Sequence, residues 1–442
     1  MNSVEFIAFT LEHWLALTIW CFSGVLILLF LFYKLAPAKI YDPLNFYLSF
    51  NLGTGYGVLC CLFQFGEVNI SMFYMLLFFA ATLLVSFLFL LKHPIVFFPK
   101  FYQILFRPIK TGQTEFYIVL AIYIFFSGII ILNTGLGALA DTNRFEQARG
   151  FGMFIRVLDF FHLIILAYLA LLVINIPKNS LKWFSVVFSL ILFLIFSSLM
   201  GGAKFAFLEG LYVMAVAVYA YGKTIKLNII MASLLIGFST LFALIILNLN
   251  SRNKDVADKG LYNDDNSNIL IESLISRVIA NGDSYYGSLP NNVINKLRTD
   301  NILIRFIAPI IGVSQTSKIV GYKVEDYSVG RAILMYHDPA NDISGGPVSH
   351  FDIFAYVYFG WFGFIFIFLL VVIIASVANA LNKNNKNLFY ISVLAALWLR
   401  CLAMLLEPSV GFAYVLDAIV LISFVKLLAL LLLKTSNDKL SY

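Results

Sequence analysis

Long apolar runs separated by short polar connections make up most of the chain. A run of roughly 18–22 residues is the length at which a helix crosses the hydrocarbon core of a bilayer. About eleven such runs occur, at 14–33, 44–65, 70–91, 115–133, 157–176, 183–200, 205–222, 227–248, 351–375, 388–406 and 412–433. The pattern predicts an all-α, polytopic integral membrane protein with about eleven transmembrane helices and one large loop between the late ones. Eight helices fall in 1–248, the loop is 249–350, and three helices fall in 351–442. The first run lacks a basic leader, exceeds a signal-peptide core in length and is followed by no small-residue cleavage site, so it reads as a span.

The character of the chain changes at Asn248, after which Asn, Asp, Ser, Gly and Lys dominate through Asn268. Within the loop, 269–280 carries an amphipathic helix pattern, with Ile269, Ile271, Leu274, Ile275 and Val278 on one stripe. Residues 302–313 are apolar but short and include Arg305 and Pro309, which predicts an interfacial or re-entrant element. No internal repeat of the transporter kind is visible.

Charge orients the spans. Connections 34–43, 92–114, 177–182, 223–226, 376–387 and the C-terminal tail hold fourteen Lys and Arg, whereas the N-terminus, 66–69, 134–156, 201–204 and 407–411 hold four. The positive-inside rule then places the first set and the C-terminus in the cytoplasm, and the N-terminus and 249–350 outside.

Composition removes the alternatives. Hydrophobic residues are 61% and charged residues 12% of the chain. A soluble domain has about 25% charged residues, so lipid must be the solvent for most of this surface. The net charge of +6 is accounted for by the connections above and suggests no nucleic-acid surface. Cys21, Cys60, Cys61 and Cys401 all sit in apolar runs and read as small buried hydrophobes, not as bridges or metal ligands.

Cations on the outer side need a reason to be there. Arg144 and Arg149 flank Glu146 in a loop at the outer boundary; they fit either an anion or a solvated turn against headgroups. Lys204 follows the Gly201-Gly202 turn, where backbone N–H groups and an ammonium converge on one point; it is a phosphate site or a snorkelling lysine. Arg252 directly follows the eighth run. Arg277, Asp283, Tyr285 and Tyr286 follow it in the loop, where paired rings beside a carboxylate suit a sugar, or equally an interfacial aromatic belt. Arg331 and His337 come next.

The sharpest stretch is 344–363, a Gly-Gly-Pro turn leading into a helix that opens with His350, Asp352 and Phe354 and carries Gly360 and Gly363. Inside the spans stand Asp159, His162, Glu209, Arg400, Asp417 and Lys426, each costing on the order of 2.5–3.5 kcal/mol if left charged at mid-bilayer. Arg400 falls on the outer half of its span and could face an external cavity.

A polar insertion of this size between late spans, a Gly-Gly turn ahead of Lys204, and a His-initiated helix ending in an F-G-x-x-G run together resemble the O-antigen polymerase and ligase superfamily. Wzy-type oligosaccharide repeat unit polymerases are the nearest members. Lys204 departs from the family's usual arginine, keeping the charge but losing bidentate phosphate binding. The resemblance implies a GT-C-like enzyme of the bacterial inner membrane with its site facing the periplasm. Donor and acceptor would be oligosaccharides linked through diphosphate to undecaprenol, transferred en bloc, with a Wzz-type chain-length co-polymerase as partner and no metal or cofactor. His350 would be the base or the orienter of the acceptor hydroxyl. Arg252, Arg277 and Lys204 would clamp the diphosphate, with Arg144, Arg149, Arg331 and Arg400 as further cations. Asp283, Tyr285 and Tyr286 would hold sugar, and His337 would be a further substrate-binding residue. The competing expectations are the related ligase, with the same chemistry on a lipid A core acceptor, and a transporter or flippase of lipid-linked glycans.

The topology carries its own test. Green fluorescent protein fused after residue 442 should fluoresce, and alkaline phosphatase inserted within 249–350 should be active. The reverse pattern would invert the whole arrangement.

Overall fold

In hydrocarbon, backbone N–H and C=O groups have no water to bond, so each apolar run must close its hydrogen bonds within itself, as a helix. The computed structural model describes residues 1–95, 97–135, 150–201, 206–224, 280–341, 345–382 and 386–438, and no strand occurs among them. In chain order the helices are α1 (Ser3–Glu12), α2 (Trp14–Phe32), α3 (Asn45–Gln64, its Asn45–Leu52 portion π-helical), α4 (Ile70–Lys92), α5 (Phe97–Phe106), α6 (Gln113–Thr134), α7 (Gly152–Asn175), α8 (Leu181–Gly201), α9 (Ala206–Ala220), α10 (Asp283–Ser288), α11 (Ile302–Ile311), α12 (Val313–Val320), α13 (Val329–His337), α14 (Phe351–Phe359), α15 (Gly363–Leu381), α16 (Leu388–Cys401) and α17 (Pro408–Asp438).

Nine helices among the described residues are long and apolar enough to span a bilayer, with α14 and α15 counted as one, and they match nine of the expected runs. The 205–222 run gives only the fifteen-residue α9. It ends where Gly222, at φ +86, turns the chain so that Gly222 and Lys223 bond back to Tyr219 and Val218. At about 1.5 Å per residue α9 is shorter than a ~30 Å hydrocarbon core. The expected span 227–248 and the amphipathic stretch before residue 280 lie outside the described residues. The short apolar stretch near 302–313 is the ten-residue α11, too short to cross. Two further ten-residue helices, α1 and α5, carry no span-length pattern.

Burial ranks the helices by distance from lipid. In the most hydrophobic stretch of α16, 89% of residues are buried, against 11% for α2, so α16 is the axis and α2 a lipid-facing outrigger. α7, α9, α15 and α17 surround α16, while α4 packs on α15. α2 is held to α3 by a backbone-to-backbone approach: a Cβ on Gly57 would stand 2.5 Å from the Cα of Cys21. All four cysteines are free; three are buried and Cys60 is half-buried.

The connections sort to two ends. At the basic end, Lys386 Nζ donates to the Tyr221 carbonyl (3.0 Å), Asn387 to that of Thr111 (3.2 Å), and Trp398 Nε1 to Asp42 (2.9 Å). At the opposite end, residues 280–341 and 345–350 pack over the helices. There Arg156 pairs with Asp417 and donates to the carbonyls of Pro309 and Ile310, tying α11 to α7 and α17. Phe306 of α11 meets Phe354, Phe366 and Phe412 edge-on.

Gly57→Ala should lower the melting temperature in detergent, with a cost of about 1–3 kcal/mol. Gly128→Ala, whose Cβ would meet nothing within 4 Å, should leave it unchanged or slightly raised. Equal melting temperatures would remove the α2–α3 contact from the packing.

Candidate functional site

α14 begins against the middle of the bundle, and what places it there is the chain just before it. Gly330 and Gly346 let segment 345–350 lie on the start of α13; a Cβ at Gly330 would overlap the Pro347 carbonyl at 1.7 Å. Ser349 Oγ donates to Glu407 Oε2 (2.8 Å), in the turn between α16 and α17. Phe354 N then donates to the His350 carbonyl (3.1 Å), the first helical bond of α14.

His350 is therefore the N-cap residue, at φ 54 and ψ 154. That region belongs to glycine, and a side chain there costs on the order of 1–3 kcal/mol. The imidazole is 2% exposed. Its Nδ1 lies 3.3 Å from the Tyr285 hydroxyl, a long contact, and the Tyr285 hydroxyl donates to Asp352 Oδ2 at 3.0 Å. Tyr56 of α3 donates to the same oxygen at 2.7 Å, and Asp352 Oδ1 accepts the Ile353 amide at 2.8 Å. Asp352 is fully buried and its described partners are all uncharged. Gly55 makes room: a Cβ there would stand 2.9 Å from the Tyr285 ring and 3.1 Å from His350 Cε1. Asn281 donates to Thr54 (2.9 Å), fastening the start of α10 to α3. Tyr56 lies eight residues from the end of α3, so the cluster sits about 12 Å below that helix's end.

Burial pulls the His350 imidazole down to about 4. Burial, then the Asp352 charge, push the Tyr285 phenol well above its usual value. At neutral pH the site therefore holds a neutral imidazole and a protonated tyrosine. Both tyrosine protons point to Asp352, so His350 donates from Nδ1 to Tyr285, and its Nε2 carries the lone pair; this tautomer is assigned from the hydrogen-bond pattern. Nε2 makes no hydrogen bond to any described residue.

The structure distributes the other expected site residues. Tyr285 faces His350, while Tyr286, its ring 4.0 Å from Phe6 and stacked on it, bonds Asp283 and Ser3; the neighbouring rings diverge and both are buried. His337 Nε2 donates to the Gly287 carbonyl (2.7 Å), joining α13 to α10. Arg331 is buried, bonding Asn341 and the Gly345 carbonyl (3.3 Å) and pairing with Asp326 at 3.5 Å, so it holds the turn that leads to His350. Arg400 lies in a separate buried cluster. It bonds the Asp159 carbonyl (2.6 Å), pairs with Glu209 (3.6 Å) and covers the Tyr414 ring (5.2 Å). Arg144, Arg149, Lys204, Arg252 and Arg277 lie outside the described residues.

Sequence reasoning noted Asp352 beside His350 but passed over Tyr56. A signal for it exists: a tyrosine set among three glycines, Gly53-Thr54-Gly55-Tyr56-Gly57, inside an apolar run. Comparison with protein-family models, curated proteins and solved structures returned no match.

The depressed His350 value has a sign. Between its ordinary 6.5 and about 4 the unfolded chain takes up a proton that the folded protein refuses. Stability from this group is thus complete above about pH 6.5 and lost as pH falls toward 4. The wild type should lose melting temperature more steeply across that interval than His350→Gln. Parallel curves would remove His350 from the linkage.

Proposed function

We propose that the protein is a polyprenyl-diphosphate-dependent glycosyltransferase that polymerises lipid-linked oligosaccharide repeat units on the outer face of the bacterial inner membrane. The observation that carries this reading is the buried, uncharged His350 held in a glycine-type backbone conformation, backed by Tyr285, Asp352 and Tyr56. Residues in sparsely populated backbone regions persist only where their surroundings impose them, and they gather at working sites. The cluster lies against 280–341 and 345–350, and the resemblance to Wzy-type polymerases assigns His350 to the acceptor hydroxyl.

The acceptor hydroxyl oxygen bonds to the anomeric carbon of the donor sugar while that carbon's bond to the diphosphate oxygen breaks. The hydroxyl proton passes to His350 Nε2, and the lipid diphosphate leaves with the bonding pair. Tyr285 accepts from Nδ1–H and relays toward Asp352, so the carboxylate charge steadies the forming imidazolium across one hydroxyl. A base near 4 is weak in the empty site; an anionic diphosphate bound close by raises it toward neutrality, so the base strengthens as the donor docks. Holding the departing charge falls, on the sequence alone, to Lys204, Arg252 and Arg277.

One observation favours a second reading. Arg156–Asp417 and Arg400–Glu209 set charged pairs among the bundle helices, and charged groups at membrane depth commonly mark a transport pathway. Purified protein given lipid-diphosphate repeat units and no other energy source separates the two: an enzyme lengthens the glycan and a transporter does not.

In a strain lacking its own copy, His350→Gln should lower polymerisation by about 10²–10⁴-fold, leaving lipid A core with a single repeat unit. Tyr285→Phe should weaken it less. Bare core would point instead to the ligase, and a normal ladder from His350→Gln would exclude His350 from the reaction.

A further inference from the structure

At the basic end, far from His350, α5 lies across the bundle as a short amphipathic helix. Tyr102 and Phe106 are buried, and α5 packs against α15, with Ser376 Oγ donating to the Tyr102 hydroxyl (3.2 Å). Its other side turns Phe97 and Ile104 outward, 68% and 78% exposed. A helix that buries one aromatic face and presents apolar side chains beside cations belongs in the headgroup layer of a bilayer.

Between α5 and α17 is a cavity of about 550 Å³, lined by Lys100, Gln103, Ile104, Arg107, Ile109 and Lys426 among others. Lys100 and Arg107 are seven residues apart, two turns, and so share a face of the helical stretch. Neither side chain makes a hydrogen bond or ion pair with a described residue. Lys426 donates to the carbonyls of Ile104 (3.2 Å) and Leu105 (3.0 Å), which uses two of its three N–H groups and fixes the ammonium at the end of α5. Glu115, whose charge acts on Lys426, is buried and accepts the Ile109 amide (2.8 Å). Three cations thus line the cavity, and none of its described lining residues is acidic. From Lys426 toward the middle of its span, α17 exposes Phe424 and then Val420, an apolar track leading away from the charges.

We propose that this groove seats the phosphate of an anionic phospholipid, with its acyl chains along the exposed face of α17. Free phosphate shares the charge but not the apolar track, so the two sources separate experimentally. The inference needs only that the chain sits in a membrane; it does not rest on the glycosyltransferase reading.

The full-length protein, delipidated in a neutral detergent, is titrated with phosphatidylglycerol, phosphatidylcholine or inorganic phosphate, and bound lipid is read by native mass spectrometry alongside the melting temperature. Phosphatidylglycerol should bind and raise the melting temperature, and the other two should not. Lys100→Gln with Arg107→Gln should weaken phosphatidylglycerol binding about thirtyfold. These exposed changes should leave the lipid-free melting temperature alone. Lys178→Gln with Lys182→Gln, on another connection of the same charge set, should bind as the wild type. Equal binding of the zwitterionic lipid, an equal effect of inorganic phosphate, or an equal loss in the Lys178/Lys182 pair would each overturn the site.

Discussion

A buried carboxylate must be satisfied by hydrogen bonds or by a cation, or lose its charge, and among the described residues Asp352 is met by hydroxyls from two distant parts of the chain. Tyr56 comes from the third helix, Tyr285 from the segment folded over the bundle, and Asp352 from the helix that opens at His350. Removing either tyrosine leaves the buried Asp352 Oδ2 with one hydroxyl donor in place of two, which weakens the hold on its charge. The three pieces are therefore locked by a group none can afford to leave unbonded, and His350 inherits its position from that lock.

The bundle holds two polar clusters of opposite character. Around Arg400 and Arg156, ionised partners neutralise each other across α7, α9, α16 and α17. Such pairs orient helices strongly and add little net stability, since desolvation offsets most of the attraction. Around His350 the described partners are uncharged apart from one carboxylate, and the imidazole Nε2 bonds to none of the described residues. The first arrangement consumes its own charges; the second leaves a group able to take a proton from outside.

Much of the architecture was legible because lipid imposes one rule on every span. Run length alone located the nine helices among the described residues that are long and apolar enough to cross, and the short run 302–313 is the ten-residue α11. The small helices α1 and α5 escaped because ten residues leave no span-length signature. His350 stood out through its Gly-Gly-Pro approach and its place at a helix start. Its strain did not, because backbone angles depend on contacts such as Gly330 against Pro347 that no periodicity records. Tyr285 and Tyr286 looked like a pair because they are adjacent; a helix turns neighbours about 100° apart, and each found a different partner.

The torsion at position 350 also bears on how this chain drifts under mutation. At a site where φ is 54, selection for foldedness alone would favour glycine, since most natural proteins sit well short of their stability optimum and such relaxations are easy to find. A side chain kept there stands against that current. Among natural variants of this chain, exchange of His350 for glycine would mark lineages in which the imidazole had ceased to matter.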